Sequence, residues 1–180
     1  MKILSWNCRG VGNLAIVHGG VFSCEFGKEK WWHGADVEGR RESHAWDMLR
    51  RVKSTVNEGW IVGGDFNAIL NDFEKEGGRR KPRALMDEFG DILKELSLTD
   101  VKNCNGWFTW TNNRDGNRLV KERLDRFVIS DYIMVRMQFL ASYIVRQSKS
   151  DHEAILMDLY GNKSKEKGNN PMVWFRYDLC

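Results

Sequence analysis

Trp60-Ile61-Val62-Gly63-Gly64-Asp65-Phe66-Asn67 reads as a buried strand that ends by delivering polar groups. Trp60 to Val62 is short, apolar and partly β-branched, and the two glycines permit a tight turn or the close approach of another group where the strand stops. On extended backbone, Asp65 and Asn67 point to one side while Phe66 points back into the core. A Gly-Gly-Asp turn, with an asparagine tolerating an unusual backbone angle, would look similar.

Upstream, Ile3, Leu4 and Trp6 predict a first strand that stops at Asn7-Cys8-Arg9-Gly10, so Asn7 also sits at a strand end. From Asn13 to Gly39 there is no sustained period of either kind. Order returns at Arg40, because Trp46, Leu49, Val52 and Val56 recur at three- and four-residue steps and predict an amphipathic helix leading into Trp60. Residues 71–83 read as a charged loop containing Gly77-Gly78-Arg79-Arg80-Lys81-Pro82-Arg83. This basic run is either a solvated loop or a contact for phosphate. A second helix follows, with Leu85, Phe89, Ile92, Leu93 and Leu96 on one face.

The second half is nearly all strands. Trp107 to Thr111 predicts a strand, Asn112 to Asn117 a hairpin turn, and Arg118 the start of the return strand. Leu124 to Ile129 predicts another strand, in which Asp125 faces opposite to Leu124 and Arg126. Ala141–Val145 and Ala154–Tyr160 predict the last two, with Ser150-Asp151-His152-Glu153 between them. Helices beside strands, with polar groups at strand ends, predict a layered α+β sandwich of mixed or antiparallel sheets.

At 180 residues the chain suits one domain. A net charge of +3 is too small to argue for a polyanion partner by itself, so any such argument must come from how the charge is distributed. Cys8, Cys24, Cys104 and Cys180 form no C-x-x-C pair, which suggests neither a zinc site nor a disulfide framework and favours a reducing compartment. With no signal peptide or membrane span in the sequence, the expectation is an intracellular protein, nuclear or cytoplasmic, that is monomeric and makes no membrane contact.

Asn7, Asp65, Asn67, Asp125, Asp151 and His152 all fall at predicted strand ends, and together they could hydrolyse a phosphodiester. That chemistry needs a hard divalent cation held by carboxylate and amide oxygens, and a base near neutral pKa. His152 suits the base, and Asp125 could fix its tautomer. Taken singly, each acid could equally serve a turn or a salt bridge.

In order, Ser5-Trp6-Asn7-Cys8-Arg9-Gly10, Gly63-Gly64-Asp65-Phe66-Asn67, Arg123-Leu124-Asp125-Arg126-Phe127 and Ser150-Asp151-His152 resemble the motifs of the endonuclease/exonuclease/phosphatase family, the DNase I-like fold. The phrases Arg41 to Arg51, Glu76 to Phe89 and Trp107 to Trp110 look like the nuclease domains of plant LINE-type, non-LTR retrotransposons. The resemblance implies a domain over residues 1–161 followed by a flexible tail, 162–180. It also implies a four-layer sandwich of two mostly antiparallel sheets flanked by helices, here incomplete. By position, it implies metal ligation by Asn7 and Asp151 and catalysis by Asp65, Asp125 and His152. Asn67 and Trp110 would contact substrate, with Trp110 equally readable as a core aromatic. The implied activity is hydrolysis of DNA with Mg²⁺, or Mn²⁺ in its place, and no reverse transcriptase segment follows in this chain.

One departure stands out. The family places a metal-binding Glu on a strand soon after the first Asn, and the 57 residues from position 8 to position 64 are too few for that helix and strand. Internal deletions are therefore expected; Glu25 or Glu29 could substitute, but neither follows an apolar strand, which weighs against both, and His33 lies near the family's Tyr or His. The competing reading is a catalytically inactive remnant with weak nucleic-acid binding, or a phosphatase of the same superfamily.

Overall fold

A computed structural model describes residues 2–5, 14–18, 21–23, 38–56, 59–147 and 150–160. The strands β1 (Lys2–Ser5), β2 (Leu14–His18) and β3 (Val21–Ser23) come first, followed by the helix α1 (Glu38–Thr55) and the strand β4 (Trp60–Asp65). After a 3₁₀ turn at Asp72–Glu74 come β5 (Lys75–Glu76), α2 (Arg83–Glu95), β6 (Leu98–Val101), β7 (Trp110–Thr111), β8 (Lys121–Glu122) and β9 (Asp125–Ser130). The helix α3 (Asp131–Arg136) and the strands β10 (Ala141–Val145) and β11 (Ala154–Asp158) close the order.

The decisive strand is apolar throughout because both of its faces are covered. In β4, Trp60 and Val62 face α1 and α2, alongside Trp46, Leu49, Phe89 and Ile92, while Ile61 faces the opposite way, toward Ile155 and Met157 of β11. The neighbouring β9 alternates in step: Val128 joins the helical side, and Phe127 and Ile129 join the other. A five-stranded antiparallel sheet ordered β3-β2-β4-β9-β6 thus lies between two helices and a three-stranded sheet ordered β1-β11-β10. Among the described residues, this makes three layers of the expected four, with no helix covering the outer face of the three-stranded sheet. A small third sheet, β5-β8-β7, flanks them.

Gly63 fulfils the close approach that the glycine pair suggests. It lies opposite Phe127 across β4 and β9, and a Cβ there would run into the Phe127 ring. Where β4 stops, Phe66 stacks against Trp46 at 6.5 Å and meets Phe89 at 5.5 Å between ring centroids. Burying such a side chain stabilises by about 1.5–3 kcal/mol, which sets the way the chain leaves the strand.

Several expectations need correction. The segment 13–39 contains β2 and β3, a hairpin that pairs with β4 through Leu14↔Gly64 to His18↔Trp60. Its runs are short and mostly apolar, and periodicity cannot assign such runs. The hairpin extends the five-stranded sheet only; Trp31, Trp32 and His33 lie outside the described residues. The strand expected from Trp107 begins only at Trp110. β6 has no forecast in the sequence, because an acid interrupts its four residues; pairing with β9 makes it a strand.

Asn105 covers the edge of β10. Its Oδ1 accepts from Ile144 N at 2.6 Å and its Nδ2 donates to Ile144 O at 2.8 Å, so the carboxamide acts as a strand partner. Asn105→Ala is expected to cost about 1–2 kcal/mol and to speed hydrogen exchange selectively at the Ile144 amide. Unchanged exchange there would refute this role.

Candidate active site

The pairing of β4 with β9 sets Asp65 directly opposite Asp125. Opposed residues of an antiparallel pair share a face, and two like charges there are unfavourable without a counter-group. His152 supplies it. Its Nδ1 lies 2.9 Å from Asp125 Oδ2, and its Nε2 lies 3.9 Å from Asp65 Oδ2. All three side chains are buried. The nearer contact is a hydrogen bond, and the farther exceeds hydrogen-bond length.

Local structure on each element holds this arrangement. Asn67 has φ of +53°, so the chain does turn there, and the turn reading and the strand reading both hold. Its backbone N and its Nδ2 donate to the two Asp65 carboxylate oxygens at 2.9 and 3.0 Å, while the residue itself stays exposed. Asp125 is fixed by Thr109, a residue to which the sequence assigns no role. The Thr109 hydroxyl oxygen accepts from Leu124 N at 3.0 Å and Asp125 N at 2.8 Å, and its carbonyl accepts from Glu153 N at 2.7 Å. A single buried threonine therefore ties the Asp125 strand to the His152 loop. Its signal in the sequence is a hydroxyl set between Phe108 and Trp110.

Asp151 is exposed and accepts from Trp110 Nε1 at 3.3 Å. The Trp110 ring sits 6.5 Å from that of His152 and packs against the cluster of Ile69, Met86 and Leu124, so it borders the site and also belongs to the core. Asn7 lies outside the described residues, as do Glu25 and Glu29.

Behind the site, Glu74 and Asp100 meet Arg123 and Arg126 in a buried ionic cluster that is also unforeseen in the sequence. Arg123 binds Asp100 with both terminal nitrogens, at 2.7 and 2.9 Å, and Glu74 at 2.9 Å. Arg126 donates to Glu74 Oε2 at 3.0 Å and to the Ala68 carbonyl at 2.8 Å. Burial opposes ionisation of both acids. For Glu74 the charge and hydrogen bonds of Arg126 overcome it, and for Asp100 the Arg123 hydrogen bond and the Arg126 charge do so, holding both carboxyls below their ordinary values. The cluster anchors the chain just after Asp65 to β9, which carries Asp125.

Burial likewise pushes the His152 pKa down. The hydrogen bond and charge of Asp125, then the charges of Asp65 and Asp151, outweigh it, so His152 lies above its ordinary value. With Nδ1 donating to Asp125, a neutral imidazole leaves Nε2 as an acceptor facing Asp65. A carboxylate oxygen from each of Asp65 and Asp125 and one His152 ring nitrogen also lie within 4.8 Å of one another. Hard divalent cations take oxygen ligands, and the Asp65 carboxylate fits one; Asp125 Oδ2 is engaged with His152.

The structure is similar to the endonuclease domain of TRAS1, a telomere-specific non-LTR retrotransposon, with a TM-score of 0.50 and 19% identity over 67% of this chain. That match covers 52% of the TRAS1 domain, so the chain spans about half of it; the likeness is one of fold. No curated protein matches the chain. The sequence profile of the endonuclease/exonuclease/phosphatase family matches residues 18–152, a span that contains Asp65, Asp125 and His152. By that match over most of its length, the chain belongs to the endonuclease/exonuclease/phosphatase family.

Proposed function

We propose that this chain is a divalent-metal-dependent phosphodiester hydrolase that cuts DNA, of the kind carried by plant LINE-type retroelements and shortened by internal deletion. The observation that carries the reading is His152 held between two directly opposed, buried aspartates in a chain of this family. The likeness to a retrotransposon endonuclease favours DNA as the substrate.

In this reading His152 Nε2 takes a proton from the attacking water, and Asp125 keeps the tautomer and stabilises the imidazolium that forms. The exposed Asn67 carboxamide binds a phosphate oxygen while its amide groups orient Asp65. The Trp110 edge offers a stacking surface for a base beside Asp151. Asp65 would hold the cation, with Asp151 and Asn7 as further ligands and Glu25 or Glu29 in place of the lost Glu. A bound Mg²⁺ would neutralise charge on the phosphate and acidify water. With that Glu segment shortened, turnover is slow.

Nicking of supercoiled plasmid in Mg²⁺ tests this directly. Slow nicking that disappears in both Asp65→Ala and His152→Ala is expected. Nicking no greater than in those variants would leave the inactive-remnant reading, and release of phosphate from monoesters without nicking would favour a phosphatase.

A further inference from the structure

The basic run lies beside the candidate site, in a loop whose shape is built into the chain. Leaving β5, Gly77 and Gly78 adopt φ of +77° and +65°, a region that residues with a side chain seldom enter. They turn the chain over Leu119 and Val120, where a Cβ at Gly77 would strike the Leu119 carbonyl and one at Gly78 the Val120 side chain. The loop is then clamped at Lys81. Its Nζ donates to the Asn67 carbonyl at 3.1 Å and lies 3.1 Å from Glu122 Oε2. Glu122 is buried, also pairs with Lys75, and sits opposite Trp110 across β7 and β8. Lys81 therefore joins the loop to both Asn67 and the Trp110 strand.

Between the glycines and this clamp stand Arg79 and Arg80. Both are exposed, and among the described residues neither side chain makes a hydrogen bond or ion pair, whereas Lys75, Lys81 and Arg83 each face a carboxylate. A merely solvated loop needs neither two consecutive left-handed glycines nor a buried anchor. Guanidinium groups match phosphate with paired donors. We propose that Arg79 and Arg80 form a phosphate-binding strip that guides the DNA backbone into the Asp65–His152 site, held in register by Lys81. This rests on reading the chain as a DNA hydrolase.

The test separates binding from cleavage. Anisotropy of a fluorescently labelled DNA duplex is followed in EDTA over about 50–200 mM salt, where affinity falls with a log–log slope of about 0.9 per phosphate neutralised. Arg79→Ala/Arg80→Ala is expected to reduce that slope by about 1.8 and to weaken binding roughly tenfold or more near 100 mM salt. Arg79→Lys/Arg80→Lys should retain most of the slope, and both variants should melt at the wild-type temperature. An unchanged slope in the alanine variant overturns the proposal, as does wild-type protein that fails to bind the duplex, or a slope lost equally in the lysine variant. Should the wild type fail to nick plasmid while the slope falls as expected, the hydrolase reading fails and the strip stands as a DNA contact.

Discussion

Replacing His152 with alanine should lower nicking by about 10²–10⁴-fold, the usual contribution of a positioned general base. The Asp125→Asn variant tests the same pair by a second route. Nε2 accepts a proton only when the imidazole is neutral, and His152 lies above its ordinary value, so activity should rise as the pH climbs through that raised value. Asparagine at 125 removes the strongest influence holding the pKa up and leaves burial, which pulls it down. The acidic limb of the rate profile should therefore move to lower pH, while the maximal rate falls because no carboxylate steadies the imidazolium. A limb at the same pH in both proteins would show that Asp125 does not control His152.

The largest effect on stability is expected from Arg126→Met. The substitution keeps a long apolar stem against Phe89, over whose ring the guanidinium sits at 5.1 Å, and removes only the charge and its donors. Glu74, fully buried, then loses one of its two guanidinium partners, and the Ala68 carbonyl loses its donor. Breaking a buried pair in this way costs about 3–5 kcal/mol, or a fall in Tm of roughly 6–20 °C for a domain of this size. The same cluster makes the fold acid-labile. Glu74 and Asp100 have folded-state pKa values below their ordinary ones, so their contribution is complete above the ordinary values and is lost as the pH falls through the lowered folded ones. Thermal melts of the wild type should drop steeply below about pH 4 and those of Arg126→Met less so. A Tm within about 2 °C of wild type at neutral pH would show that the ion cluster does not hold this part of the fold.

Much of the molecule was legible in the chain alone. The apolar run Trp60 to Val62, the two amphipathic helices and the strands that carry Asp125 and flank His152 all follow from local pattern, because burial of one face or two leaves a period in the sequence. The convergence of Asp65, Asp125 and His152 was expected from residue chemistry at strand ends, and their resemblance to one family named the polar groups to watch.

Tertiary structure decided the rest. Nothing local marks Leu98-Thr99-Asp100-Val101 as a strand; it becomes one by pairing with β9, and Asp100 is buried because Arg123 reaches it. Glu74 reads as one more acid in a charged loop until Arg123 and Arg126 close around it. Thr109 matters only because the folded chain brings the backbone amides of Leu124 and Asp125 to its hydroxyl. The register that sets Asp65 opposite Asp125 is a property of two strands some 60 positions apart, which no window along the chain contains. Periodicity records how much of a residue is covered, and it says nothing about which distant group does the covering. Single residues thus declared the polar groups, and only long-range pairing determined which of them meet.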